Sequence, residues 1–153
     1  MDKVLTTALL TIAAVVAAVM VINALLPSVG KSSSALISSQ EAATQRIKTD
    51  IEIIHVASDT SLNRVYVWVK NIGASEILAI DRSDIFLKTA TSYDRLPYGA
   101  GAQYWDYIIE DDTRWRPSTT SKITIYLSSL PAGDYLVQFF THNAVAAQKA
   151  FSV

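Results

Sequence analysis

Residues 4–26 read VLTTALLTIAAVVAAVMVINALL, a run of 23 residues without a charged side chain. Coiled as a helix rising about 1.5 Å per residue, it extends about 35 Å, enough to cross a hydrocarbon core with some tilt. Its polar side chains are Thr6, Thr7, Thr11 and Asn23, and a threonine hydroxyl can return its hydrogen bond to the preceding turn, which keeps its cost in lipid low. A buried core helix of a soluble protein seldom stands at a chain start and runs this long. A cleaved secretory signal carries a basic leading region, a shorter apolar stretch and a small-residue cleavage site. Here Met1-Asp2-Lys3 precede the run and Pro27-Ser28-Val29-Gly30 follow it, with no A-x-A pattern. The expectation is a retained helix over 1–27 that spans a membrane or packs into a bundle.

Ala13, Ala14, Ala17 and Ala18 form two overlapping small-xxx-small pairs on this helix. Such spacing lets backbones approach closely where no hydrophobic effect drives helices together, so these four residues are the candidate assembly face. Alanine is also an ordinary filler of membrane helices. Lys3 and Lys31 flank the span almost evenly, which leaves only a slight preference for a cytoplasmic amino terminus and an extracytoplasmic domain.

Pro27 lacks an amide hydrogen and Gly30 is a weak helix former, so a kink or a short break is expected between them. Residues 28–47 then read as a stalk. A weak apolar stripe through Leu36, Ala43 and Ile47, with Arg46 and Lys48 at the end, suits a helix. Its serine-rich start suits a flexible linker instead.

From residue 48 the period changes from helical to two. In 64–71, Val65, Val67 and Val69 face one way while Tyr66, Trp68 and Lys70 face the other. Residues 122–127 repeat the pattern, and 135–141 alternate apolar residues on both faces. Weaker strands are read at 50–57, 77–80, 85–89, 103–109 and 146–153. Turn signals separate them, among them Ser58-Asp59-Thr60, Asn71-Ile72-Gly73 and Pro131-Ala132-Gly133. Residues 48–153 therefore read as an all-β, immunoglobulin-like sandwich of seven or eight strands. With its leading helix the chain is α+β by layout.

The rest of the composition excludes more than it assigns. Thirteen Lys and Arg face 14 Asp and Glu for a net charge of −1, which argues against a nucleic-acid surface. There is no cysteine, hence no disulfide, thiolate metal site or cysteine nucleophile. Two histidines, His55 in a strand and His142 in a turn, make neither a catalytic constellation nor a typical zinc site. With five glycines and no glycine-rich phosphate loop, no cofactor is expected, and the chain does not read as an enzyme. Glu110-Asp111-Asp112 with Asp106 could hold a hard cation, but the spacing is not that of an EF-hand loop, and a solvated acidic turn is the plainer reading. Aromatics crowd the segment from Tyr93 to Trp115. Tyr93, Tyr104, Trp105, Tyr107 and Trp115 form a candidate partner surface, because amphipathic rings are favoured in interfaces, and they suit a sandwich core equally.

The helix TTALLTIAAVVAAVMVINALLP, followed by QRIKTDIEII, VYVWVKNIG, DRSDIFL, YDRL and YWDY, resembles the archaellin and type IV pilin-like superfamily. Within it, the chain looks most similar to the archaellum protein G family of the archaeal swimming motor. That resemblance implies a stator: a helix anchored in the cytoplasmic membrane and an extracytoplasmic domain contacting an archaellum protein F-like partner and the surface-layer protein. Filament-forming relatives differ in the first turns. Their processing site places Gly or Ala after a basic residue, where this chain has Val4 after Lys3, and the pilin glutamate is replaced by Thr6 and Thr7. They also commonly carry glycosylation acceptors, and no N-x-[ST] occurs here. Two other readings stand beside the stator: an archaellin-like filament subunit held by helix bundling, and an adhesin on a tether.

Overall fold

A computed structural model describes residues 2–153. It divides into two units, one ending at Ala42 and one spanning Ala43–Val153. Helix α1 runs Asp2–Lys48, with Asp2 in its first turn and Arg46 and Lys48 in its last, the signs that complement the helix dipole. No residue of α1 is buried. Thr6 and Thr7 donate their hydroxyls to the carbonyls of Asp2 and Lys3 at 2.7 Å, and Thr11 to that of Ala8 at 2.8 Å. The threonine hydroxyls of the apolar run are thereby satisfied within the helix, as a lipid environment demands.

The break expected between Pro27 and Gly30 is absent, and residues 28–47 are helical throughout. A lone interior proline removes one backbone hydrogen bond, and the turns on either side carry the helix past it. Ser34 and Ser38 add hydroxyl bonds to the carbonyls of Gly30 and Ser34. These bonds engage the serines on the helix's own backbone.

In the second unit eight strands form two four-stranded antiparallel sheets. Sheet 1 contains β1 (Ile51–Asp59), β2 (Arg64–Asn71), β5 (Tyr104–Ile109) and β6 (Thr120–Tyr126) in the order β1-β2-β6-β5. Sheet 2 contains β3 (Asp84–Lys88), β4 (Tyr93–Leu96), β7 (Asp134–Phe140) and β8 (Ala146–Ser152) in the order β4-β3-β7-β8. Val65, Val67 and Val69 of β2 alternate with half-buried residues, and with Ile123, Ile125, Trp105, Ile85, Val137 and Phe139 they fill the space between the sheets. Trp105 and Phe139 meet edge to face at 6.1 Å, and Trp115 packs against Phe139 at 5.9 Å.

Two strand readings are corrected. Residues 77–80 contribute one bridge, Ile77 to Trp115, and then turn through Ala79 (φ 50°) into a 3₁₀ turn at Ile80–Arg82. Ile77 and Ile80 are the buried positions there, three apart, which is the spacing of a turn and not of a strand. The strand not anticipated is β4. It pairs with β3 from Leu96 opposite Ile85 to Tyr93 opposite Lys88, and its sequence YDRL buries only Leu96. In β7, Tyr135, Val137 and Phe139 are buried while Leu136, Gln138 and Phe140 are only partly so.

The chain leaves the helix through a tight set of bonds at its last turn. The amides of Ala74 and Ser75 donate to the Lys48 carbonyl at 2.8 and 3.2 Å, and those of Ile72 and Gly73 both donate to Asp50 at 3.0 Å. Asn71, fully buried, shapes this loop: its amide nitrogen donates to Ser75 and Trp115 carbonyls, and its oxygen accepts from Gly73. Across from it, Asn143 donates to the Thr49 hydroxyl at 2.7 Å, while that hydroxyl donates to Gln45.

Candidate functional site

The first candidate surface is the helix itself. Ala13, Ala14, Ala17 and Ala18 are exposed along α1, Pro27 lies inside it, and the large apolar residues between Val4 and Leu26 are exposed as well. A surface this apolar has no stable place in water. Its candidate partners are lipid or other helices, and the small alanine side chains would permit close backbone approach.

The second candidate, the aromatic group of 93–115, does not converge. Trp105 and Trp115 are core residues, 0% and 1% exposed, and contribute nothing to a surface. Tyr107 stands on the core-facing side of β5 opposite Ile123 and lies partly buried beneath Tyr98. Burial, then the charges of Asp81 and Asp106, raises the Tyr107 phenol above its ordinary value; burial, then Tyr107, Asp106 and Asp81, raises Tyr98. Tyr93 is exposed on the outer face of sheet 2, stacked on Phe86 at 5.1 Å, and donates its hydroxyl to Gln138. Tyr104 lies on the outer face of sheet 1.

That outer face holds what proximity in sequence concealed. Register places Arg64, Tyr126 and Tyr104 in one cross-strand row, and His55, Trp68, Lys122 and Ile108 in another. Tyr104 stacks on Tyr126 at 4.4 Å, and the Arg64 guanidinium sits 4.9 Å above the Tyr126 ring. The Lys122 ammonium lies 4.7 Å from the Tyr66 ring and 5.3 Å from the Trp68 ring, and the Trp68 indole donates to Glu110 at 2.9 Å. Cations resting on rings are held at little entropic cost and lose less on desolvation than free ones. The sequence signal was the alternation that set Tyr66 and Trp68 opposite the valines.

The acidic turn does not gather a cation site. Glu110 is engaged by Trp68, and Asp106 accepts from the Tyr107 amide. Asp112 accepts from Thr113 and Arg114 amides and lies 3.5 Å from Arg116. The Thr113 amide foremost holds its carboxyl below the usual range; desolvation opposes this, and the Arg114 amide and the Arg116 and Arg114 charges reinforce it. Among the described residues no three His, Asp or Glu side chains converge as a metal site. His55 packs against Trp68 at 5.2 Å, and His142 stands in the β7–β8 loop, so the two histidines serve separate surroundings.

An apolar helix long enough to cross a membrane is thus joined to an eight-stranded antiparallel sandwich. The family model for archaeal-type flagellin matches residues 2–150, and the chain belongs to that family. An uncharacterized protein of Archaeoglobus fulgidus is 32% identical over 160 residues, covering 98% of both chains. Among solved structures, the archaellum periplasmic stator protein FlaG of Sulfolobus acidocaldarius superposes with a TM-score of 0.60 at 24% identity, over 67% of this chain and 99% of that one. The same organism's FlaF and FlaG stator complex matches at 0.58 and 24%, over 67% and 89%. An archaeal flagellin of Methanocaldococcus jannaschii matches at 0.55 and 11%, over 69% and 90%. At these identities the three establish a shared sandwich fold, and the family match makes the chain archaellum-related.

Proposed function

We propose that the chain is a non-enzymatic stator component of the archaellum motor, anchored in the cytoplasmic membrane by α1 and carrying its sandwich on the outer side. One observation carries the choice over a filament subunit: the first turns of the span. Val4 follows Lys3 where filament subunits have Gly or Ala for processing, and Thr6 and Thr7 occupy the place of the pilin glutamate. The partners this implies are an archaellum protein F-like subunit and the surface-layer protein, with neighbouring copies meeting through Ala13, Ala14, Ala17 and Ala18. The S. acidocaldarius FlaG, which shares the fold, forms a stator complex with FlaF, and that supports the first of these. Tyr104, Tyr126, Tyr66 and Trp68 on sheet 1 supply rings suited to such a partner.

The filament reading keeps one support, the flagellin family itself. Cryo-microscopy of appendages sheared from the native cells, with and without deletion of this chain, separates the two. A stator predicts filaments built from another subunit that persist in the deletion strain while swimming is lost. Filaments with this chain as the repeating subunit would overturn the proposal.

A further inference from the structure

The end of the sandwich formed by the β3–β4 hairpin and the β6–β7 loop breaks the alternation that fills the rest of the core. Ile85 and Leu87 face inward on β3, so the next inward position is Thr89. On β4, Leu96 faces inward opposite Ile85, and two residues back Asp94 stands opposite Leu87. On β5, Trp105 faces inward, which gives the same side to Gln103. Three positions on the core-facing side, half-buried at Thr89 and Gln103 and exposed at Asp94, thus carry a hydroxyl, an amide and a carboxylate where apolar side chains would close the end of the sandwich.

The result is a cleft of about 370 Å³ with Leu87, Leu127 and Tyr135 among its walls and Ser92 and Ser129 among its polar lining. That volume lies at the small end of ligand clefts. Its polar groups are unequally committed. Thr89 accepts from the Thr91 and Ser92 amides, and Asp134 accepts from Ser152 at 2.6 Å. Asp94 has no hydrogen bond or ion pair among the described residues, and Gln103 makes only a 3.4 Å contact to Ser128. No Lys, Arg or His lines the cleft, so an anion would meet two carboxylates uncompensated.

We propose that this cleft is a carbohydrate-binding site for a saccharide of one or two rings. The apolar wall accommodates the C–H face of a sugar, Asp94 accepts from adjacent hydroxyls, and Gln103 both donates and accepts. An ammonium or guanidinium group from a peptide would use Asp94 and leave the neutral hydroxyls and amide unmatched, so the mixed lining favours the sugar. The inference does not rest on the motor assignment.

The test uses the full chain in a detergent without a sugar headgroup. Methyl glycosides of glucose, galactose, mannose and N-acetylglucosamine, and a tetralysine peptide, are titrated with saturation-transfer NMR as readout. At least one glycoside is expected to bind, and Asp94→Ala and Gln103→Ala to weaken it about tenfold each, the scale of one lost hydrogen-bond partner. Asp94→Asn, equal in size, keeps the mouth intact should Asp94→Ala misfold, and should weaken binding severalfold. Ile108→Ala on the outer face of sheet 1 should leave it unchanged. No binding by any glycoside, binding indifferent to Asp94 and Gln103, or tetralysine binding in their place would each overturn the assignment.

Discussion

Gly73 is the position where one methyl group should do most damage. A Cβ built there falls 2.5 Å from the Asp50 amide nitrogen and 2.5 Å from the Lys48 carbonyl oxygen, both backbone atoms, with Thr49 at 3.1 Å. Restoring ordinary contact, which begins at 3.4 Å, requires movement of about 0.9 Å. The atoms that must part are those bonded across this junction: Ala74 and Ser75 to Lys48, and Ile72 and Gly73 to Asp50, at 2.8–3.2 Å. Bonds of that length do not survive such a displacement together. Each contributes about 1 kcal/mol net, and overpacking adds strain of about 1–3 kcal/mol. Because the loop relaxes in part, we expect Gly73→Ala to cost about 2–4 kcal/mol, a large share of a domain's total stability. At about 4 °C per kcal/mol for a unit of this size, the sandwich should melt about 8–16 °C lower. Thermal unfolding followed by near-ultraviolet circular dichroism reads this directly, and hydrogen exchange should speed at the Ala74 and Ser75 amides. Gly30→Ala is the matched control: its added Cβ meets open space within α1, and the sandwich transition should not move. A Gly73→Ala protein within about 0.5 kcal/mol of the parent, the range of an ordinary surface change, would refute the grip described for this loop.

Two further outcomes follow from surfaces already described. Replacing Ala14 and Ala18 with Leu should weaken self-association in detergent, seen by sedimentation, while the sandwich melts as before; unchanged oligomerisation would remove the alanine face from the assembly model. At alkaline pH, Tyr98 and Tyr107 keep their protons beyond the ordinary phenol value of 10.0, so the unfolded chain ionises first. The contribution of these two rings to stability should therefore be flat just below about pH 10 and fall as pH rises above it; a stability curve rising there would contradict the burial of these rings.

Much of the architecture was legible because its cause is local. Val65, Val67 and Val69 alternate with Tyr66, Trp68 and Lys70, and a two-residue period over eight residues has no competing explanation. The apolar run was legible for the same reason. β4 was not, because an edge strand pairs on one side and needs little apolar surface: Tyr93, Asp94 and Arg95 satisfy its pairing with β3 while staying exposed. Ile77–Ile80 misled in the opposite sense, since β-branched residues three apart serve a buried turn as well as a strand. The aromatic group failed as a surface because neighbours in sequence alternate sides. Tyr104 and Trp105 are adjacent, and one faces solvent while the other is fully enclosed. Only the register that joins β2, β6 and β5 brings Tyr66, Trp68, Tyr126 and Tyr104 onto one face, and register is a long-range property.

The sheet edges bear on how such a chain can assemble. An open edge invites addition of a strand from another molecule, and four strands here have one. β1 carries a register shift between Ile53 and His55, which twists it and interrupts its ladder. At that point Lys149 of β8 donates its ammonium to the Ile53 and Ile54 carbonyls at 3.2 and 2.8 Å, so the acceptors that an incoming strand would need are already taken. On the opposite side Tyr98 bridges to Trp105, linking the chain after β4 to β5. Each flank thus carries a local contact at one point along its edge, one of them through a half-buried lysine of the kind that guards natural edges. Most exposed large apolar side chains stand instead on α1, from Val4 to Ile47. A sandwich that blunts its edges at these points while the apolar run of α1 stays exposed directs association away from strand addition and toward that helix.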